Sequence, residues 1–145
     1  MVTCRVTVWL ALVAGAVACT PPSSRIPPMP EYATVCDMQR WQEQRPPAPW
    51  SDSLVAEDKL DTALVRLSTP PLRNGPPPEG WAIVGFVVMP EGRVADAAVV
   101  LSSSRVVDSL AVLLVGGSRY STPRSGGRPA WAFACAPVVL TIFRG

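Results

Sequence analysis

The stretch Trp81-Ala82-Ile83-Val84-Gly85-Phe86-Val87-Val88-Met89-Pro90-Glu91-Gly92-Arg93-Val94-Ala95-Asp96-Ala97-Ala98-Val99-Val100-Leu101 decides the fold. From Trp81 to Met89 the pattern has period two. Ala82, Val84, Phe86 and Val88 take one side, and Trp81, Ile83, Gly85, Val87 and Met89 the other. Both rows are largely apolar, which predicts a strand covered on both faces. Pro90-Glu91-Gly92 supplies a turn: proline presets φ for the first corner and glycine accepts the left-handed position that completes a short loop. Val94 to Leu101 returns as the partner strand, with Val94, Asp96, Ala98 and Val100 alternating against Ala95, Ala97, Val99 and Leu101. Ser102-Ser103-Ser104 ends it.

Downstream of this hairpin, Asp108 to Val115 is an apolar run bounded by helix signals. Ser104 or Asp108 offers a cap and Gly116-Gly117 a stop, which predicts a short helix with Leu110, Leu113 and Leu114 inward. Arg119 to Pro129 reads as a polar loop. Ala130 to Phe143 reads as a long final strand, and Pro137, which cannot donate to a ladder, belongs at an edge or a bulge. Upstream, Ser51 to Leu67 reads as a helix: Ser51, Asp52 and Ser53 offer cap oxygens, Leu60, Ala63, Leu64 and Leu67 share one stripe, and Pro70-Pro71 stops it. Tyr32 to Gln44 stays undecided: Tyr32–Cys36 suits a short strand and Met38–Trp41 a helical turn. The order predicts an α+β fold: a small three-stranded antiparallel sheet packed on one or two helices, preceded by a proline-rich tether.

Composition narrows the function. The 145 residues carry 13 basic against 11 acidic side chains, a formal charge of +2, and no histidine. So slight a balance gives no field for a phosphate backbone, so nucleic acid is not an expected partner. Without histidine the usual general base and the commonest metal ligand are missing, which removes most hydrolase triads and most zinc sites. Asp96, Asp108 and the Ser102–Ser104 run have no matched base in the pattern, and their plain readings are a turn-facing carboxylate, a helix cap and a strand end. No catalytic, cofactor or metal residue is therefore assigned, and no enzyme activity is expected.

The chain starts with Arg5, an apolar run of 13 residues from Val6 to Ala18, and the small-x-small ending Ala16-Val17-Ala18. That run is shorter than the roughly 20 residues of a membrane span and has the layout of a secretory signal. Cys19 follows at once, and here the sequence resembles the lipobox of bacterial lipoproteins, with alanine where leucine is more usual three positions earlier. The resemblance implies cleavage before Cys19 and acylation of that residue. Thr20, in place of a retaining aspartate, implies the periplasmic face of the outer membrane. The alternative is plain secretion with Cys19 a free thiol. Thirteen of the 17 prolines lie between Cys19 and Pro78. Thr20 to Pro30 then forms an extended tether of about 3.1 Å per residue. The expected organisation is residues 1–18 as signal, 19–50 as lipidated tether and short N-terminal segment, and 51–145 as the domain. With Cys4 removed and Cys19 acylated, Cys36 and Cys135 remain as one pair, and an oxidising compartment favours a disulfide between them over two buried thiols.

Gly80 to Arg144, 65 residues, resembles the C-terminal domain of TonB and its relatives. The likeness rests on Gly80-x-Ala82-x-Val84-x-Phe86-x-Val88, Pro90-Glu91-Gly92-Arg93-Val94, Asp96 through Val99-Val100 to Ser102-Ser103, and Val107-Asp108. It continues in Arg119-Tyr120, in Pro123 and in Gly126-Gly127-Arg128-Pro129. It implies a periplasmic module that adds an extended peptide of an outer-membrane transporter or envelope protein to the edge of its sheet. Main-chain hydrogen bonds then supply affinity and side-chain pockets selectivity. The residues it assigns to partner contact are Arg119, Tyr120, Val138 and Leu140, although simple packing of Tyr120 on the sheet is an equal reading. The energised members carry a histidine-bearing membrane helix and a long Pro-Lys spacer, which this sequence does not show. Docking rather than energy transduction is thus the expectation, with self-association, such as a homodimer, as the structural alternative.

Overall fold

The computed structural model describes residues 26–72 and 75–141. The segment expected to be a signal, Cys19 and the last residues of the expected final strand lie outside the described residues. In chain order the elements are α1 (Tyr32–Val35), α2 (Met38–Glu43), β1 (Leu54–Ala56), β2 (Arg66–Ser68), β3 (Gly80–Val88), β4 (Val94–Ser102), α3 (Arg105–Gly116), β5 (Arg119–Tyr120), β6 (Arg124–Ser125), β7 (Arg128–Pro129) and β8 (Trp131–Leu140).

The hairpin forms as its alternation requires. β3 and β4 pair antiparallel, and the turn closes through Met89 N–H to the Arg93 carbonyl at 2.7 Å and Gly92 N–H to the Met89 carbonyl at 2.8 Å. Gly92 sits at φ 88°, where a side chain is strained, and a Cβ there would also strike the Tyr120 carbonyl. β8 then pairs antiparallel with the other side of β3 in one unbroken register, from Gly80↔Leu140 to Val88↔Ala132. The central strand β3 is buried along its whole length, which explains its apolar character on both rows.

The sheet has four strands rather than three, in the order β1-β8-β3-β4. The extra strand comes from the segment expected to be helical. Ser51 to Leu67 contains two single 3₁₀ turns (Ser51–Ser53 and Glu57–Lys59) flanking β1, and ends in β2. β1 pairs in parallel with Trp131–Phe133. The chemistry of the segment explains the correction. Its Ser, Asp and Thr residues compete for backbone groups and weaken a helix. Asp61 does this directly: its carboxylate accepts the N–H groups of Gly126 and Gly127 at 2.9 and 2.8 Å, and its own N–H donates to the Arg124 carbonyl at 2.9 Å. Those bonds tie the segment to the β6–β7 hairpin, which lies within the stretch expected to be plain loop.

One face of the sheet is covered by α3. Val107, Ala111 and Val115 are buried against Ala82, Val84, Phe86, Val88, Ala134, Val138 and Leu140, with Leu110 and Leu114 at the margin. Small Ala111 at the centre of this stripe lets the helix approach closely. Leu113, expected inward, lies about 200° round the helix from Ala111 and is exposed. The helix ends at Gly117, whose N–H donates to the Leu113 carbonyl at 3.0 Å.

The opposite face is covered by Tyr32 to Gln44, where the strand expected over Tyr32–Cys36 is replaced by the short helix α1 and Met38–Glu43 forms α2. Trp41 on α2 is buried against Val87 and Phe133, with its ring 5.2 Å from Phe133. Trp50 continues the layer, stacked on Trp131 at 6.2 Å. Glycine at position 85 makes the room: a Cβ there would lie 2.7 Å from the Trp41 indole. Arg45 clamps the layer to β4 through two bonds to Asp96, at 2.7 and 2.6 Å, while its guanidinium sits 4.8 Å over the Trp41 ring. Cys36 and Cys135 are joined by a disulfide, with Cα atoms 6.2 Å apart. Trp81 Nε1–H donates to the Pro27 carbonyl at 2.6 Å. A domain boundary at 50/51 therefore cuts through a packed layer, and the folded unit includes residues 26–50.

Candidate binding edge

A sheet with an open rim offers unpaired backbone groups, and the register shows where they are. Trp81 turns both its N–H and its carbonyl to Ser103, at 2.9 Å each. Because bonding alternates along an antiparallel ladder, the even-numbered residues of β3 face β8 and are matched by the even-numbered residues of β8. The N–H and carbonyl groups of Cys135 and Val139, and the carbonyl of Pro137, accordingly point away from β3. β1 covers this outer rim only as far as Phe133. Pro137 thus lacks a donor on the side where none is needed, the edge placement its chemistry demands.

Where β1 leaves β8, a cleft of about 310 Å³ opens. Cys135, Ala136 and Pro137 form one wall, Glu57, Leu64 and Arg66 the other, and Phe86 and Tyr120 the floor. Glu57 is half-buried, and burial, then the negative charge of Asp58, pushes its carboxyl above the usual carboxylate value. Among the described residues neither Glu57 nor Arg66 has a salt-bridge partner.

The four residues assigned to partner contact are distributed unevenly around this cleft. Tyr120 is buried, with its ring stacked 5.0 Å from Phe86, and burial raises its phenol above the usual value. It is a packed residue that also floors the cleft. Arg119 is exposed and bridges to Arg93 rather than to the cleft. Val138 and Leu140 keep only 9% and 7% of their surface, facing α3 in the core, with their backbone groups spent on β3. The rim belongs instead to the odd-numbered positions, including Val139, which is 59% exposed. Val138 and Leu140 thus have the parity that faces β3, whereas Pro137, odd-numbered and unable to donate, marks the outward parity. Glu57, Leu64 and Arg66 were missed because they lie in the segment read as a helix.

The other rim is the outer side of β4. The turn leading into it is engaged, with Tyr120 N–H donating to the Gly92 carbonyl at 2.9 Å. Beyond that, from Ala95 to Ser102, no strand pairs with it among the described residues. A groove of about 290 Å³ runs between this strand and α2, lined by Arg40, Trp41, Arg45, Val99 and Leu101 among others. The serines at the strand end act as clasps: Ser103 Oγ accepts the Trp81 N–H, and Ser102 Oγ donates to the Ser104 carbonyl at 3.2 Å. Asp96 is paired with Arg45, and Asp108 lies in the first turn of α3, where its charge suits the helix dipole.

No helix among the described residues is long and apolar enough to cross a membrane. Neither protein-family models, nor curated proteins, nor solved structures give a match to this chain.

Proposed function

We propose that the chain is a non-catalytic binding module that takes up an extended peptide by strand addition on the outer rim of β8. The observation that carries this reading is the early departure of β1, which leaves Cys135 to Val139 without a paired strand on the outer side among the described residues, beside an open cleft. A guest strand there lies along the same rim that β1 occupies at Trp131–Phe133, beyond the Glu57–Lys59 turn, and the backbone it meets is already extended. The order hairpin, helix, strand, with the last strand lying beside the first, accords with the TonB-like likeness of Gly80 to Arg144. On this reading the guest belongs to an outer-membrane transporter or another envelope protein, and the module works in the periplasm, held to the outer membrane through acylated Cys19. The Cys36–Cys135 bond suits that oxidising compartment.

Calorimetric titration with short β-prone peptides tests the reading. Val139→Pro removes one outward N–H and leaves the β3 ladder intact, so it should abolish binding while leaving the melting transition within a few degrees of wild type. Unchanged affinity in that variant would exclude β8 as the docking strand.

The open stretch of β4 supports a second reading, self-association. It contains no proline or lysine, and its one charge, Asp96, is neutralised by Arg45, so little guards it against edge pairing. Light scattering over a wide concentration range separates the two: a peptide-independent dimer favours this reading, whereas a monomer that binds peptide favours the first.

A further inference from the structure

Resting on the strand-addition reading, we propose that the cleft beside β8 selects guest strands that present both a basic and an acidic side chain on the cleft-facing side. Alternate residues of a strand share a face and stand about 7 Å apart, so a guest on the rim presents every second side chain to the cleft. Two charged groups line that space, Glu57 and Arg66, and among the described residues neither is neutralised by an ion pair. Glu57 is the more enclosed. It stands next to Asp58 in sequence, and a cation brought into the cleft relieves both its desolvation and that repulsion. Leu64 and Phe86 furnish an apolar surface for the methylene stem of a lysine or arginine whose head reaches Glu57. Arg66, exposed on the same wall, repels a second cation and accepts a carboxylate. The cleft is therefore suited to a strand of alternating charge rather than to a wholly apolar one.

The test compares two peptides of identical length and apolar spacing, one with Lys-x-Glu on alternate positions and one with Gln-x-Gln. Each is titrated at low salt into the oxidised full-length domain, into Glu57→Gln and into Val139→Pro. The charged peptide should bind wild type about tenfold more tightly, lose that advantage in Glu57→Gln, and lose it progressively with added salt. Val139→Pro should abolish binding of both. Equal affinities for the two peptides, with no effect of Glu57→Gln, would overturn the charge selection and leave strand addition standing. If neither peptide binds wild type, or both bind Val139→Pro as well as wild type, strand addition on β8 fails and the selectivity falls with it.

Discussion

At residue 85 a missing side chain does the work of a binding pocket. The indole of Trp41 occupies the space a Cβ would take, 2.7 Å away, so the whole second layer is keyed to one glycine on the central strand. Gly85→Ala should cost about 1–3 kcal/mol in chemical denaturation, because the ring cannot retreat without leaving Phe133. Trp41→Ala, which empties the same site, should cost about 3–5 kcal/mol. The sequence foreshadowed this place in two ways, by the apolar character of both rows of β3 and by a glycine within them. It could not say that the covering residue is Trp41, forty-odd positions away, since nothing local links the two. Glu57 gives a pH prediction. Its carboxyl is raised in the fold, so the protonated form is favoured there. The stability it contributes is present in acid and lost as pH rises through its folded value. Glu57→Gln should therefore unfold at a higher denaturant concentration than wild type at neutral pH, with the difference vanishing below the ordinary carboxylate range.

Among the elements, β8 is the one whose two sides differ most. Ala134, Ala136 and Val138 direct their amides to β3, whereas Cys135 and Val139 direct theirs outward. Native-state hydrogen exchange should show fast exchange at Cys135 and Val139 between slow neighbours, and selective protection of those two once a guest strand is bound. Uniform protection along β8 in the free protein would contradict the open rim. The hairpin and α3 were legible because their periodicity, turn and stop signals agree, and because they pack on their immediate neighbours. The stretch from Ser51 to Leu67 was not. Its leucine spacing imitates a helical stripe, yet Leu67 is exposed and Asp61 is committed to the glycines of the β6–β7 hairpin, a long-range bond that spacing cannot reveal. β1 was equally hidden, since three residues are too few to show alternation, and the rim position that receives them exists only after β8 has folded.

For the whole molecule the disulfide is the strongest single constraint. It spans 99 positions and joins the helical layer to the last strand. Closing a loop of that size stabilises by about 4.7 kcal/mol in the chain-entropy picture. Reduction, or replacement of Cys36 and Cys135 by serine, should lower stability by an amount approaching that value, and the exposure of Trp41, Trp50 and Trp131 should shift the tryptophan emission to the red. An unchanged midpoint under reducing conditions would mean that the helical layer holds without its covalent tie. Cysteine parity made this pairing readable from the sequence, because it is arithmetic on residue types rather than a statement about contacts.

The same bond governs how the protein bears load. Most of the sheet lies within the covalent ring that it closes, and a pull applied between the chain before α1 and the end of β8 enters the ring at Cys36 and leaves it at Cys135. Within the chain, tension then runs through sulfur instead of unzipping the ladder between those two residues, and about 340 Å of chain contour stays locked away. Only the reduced protein would pay out that length under force.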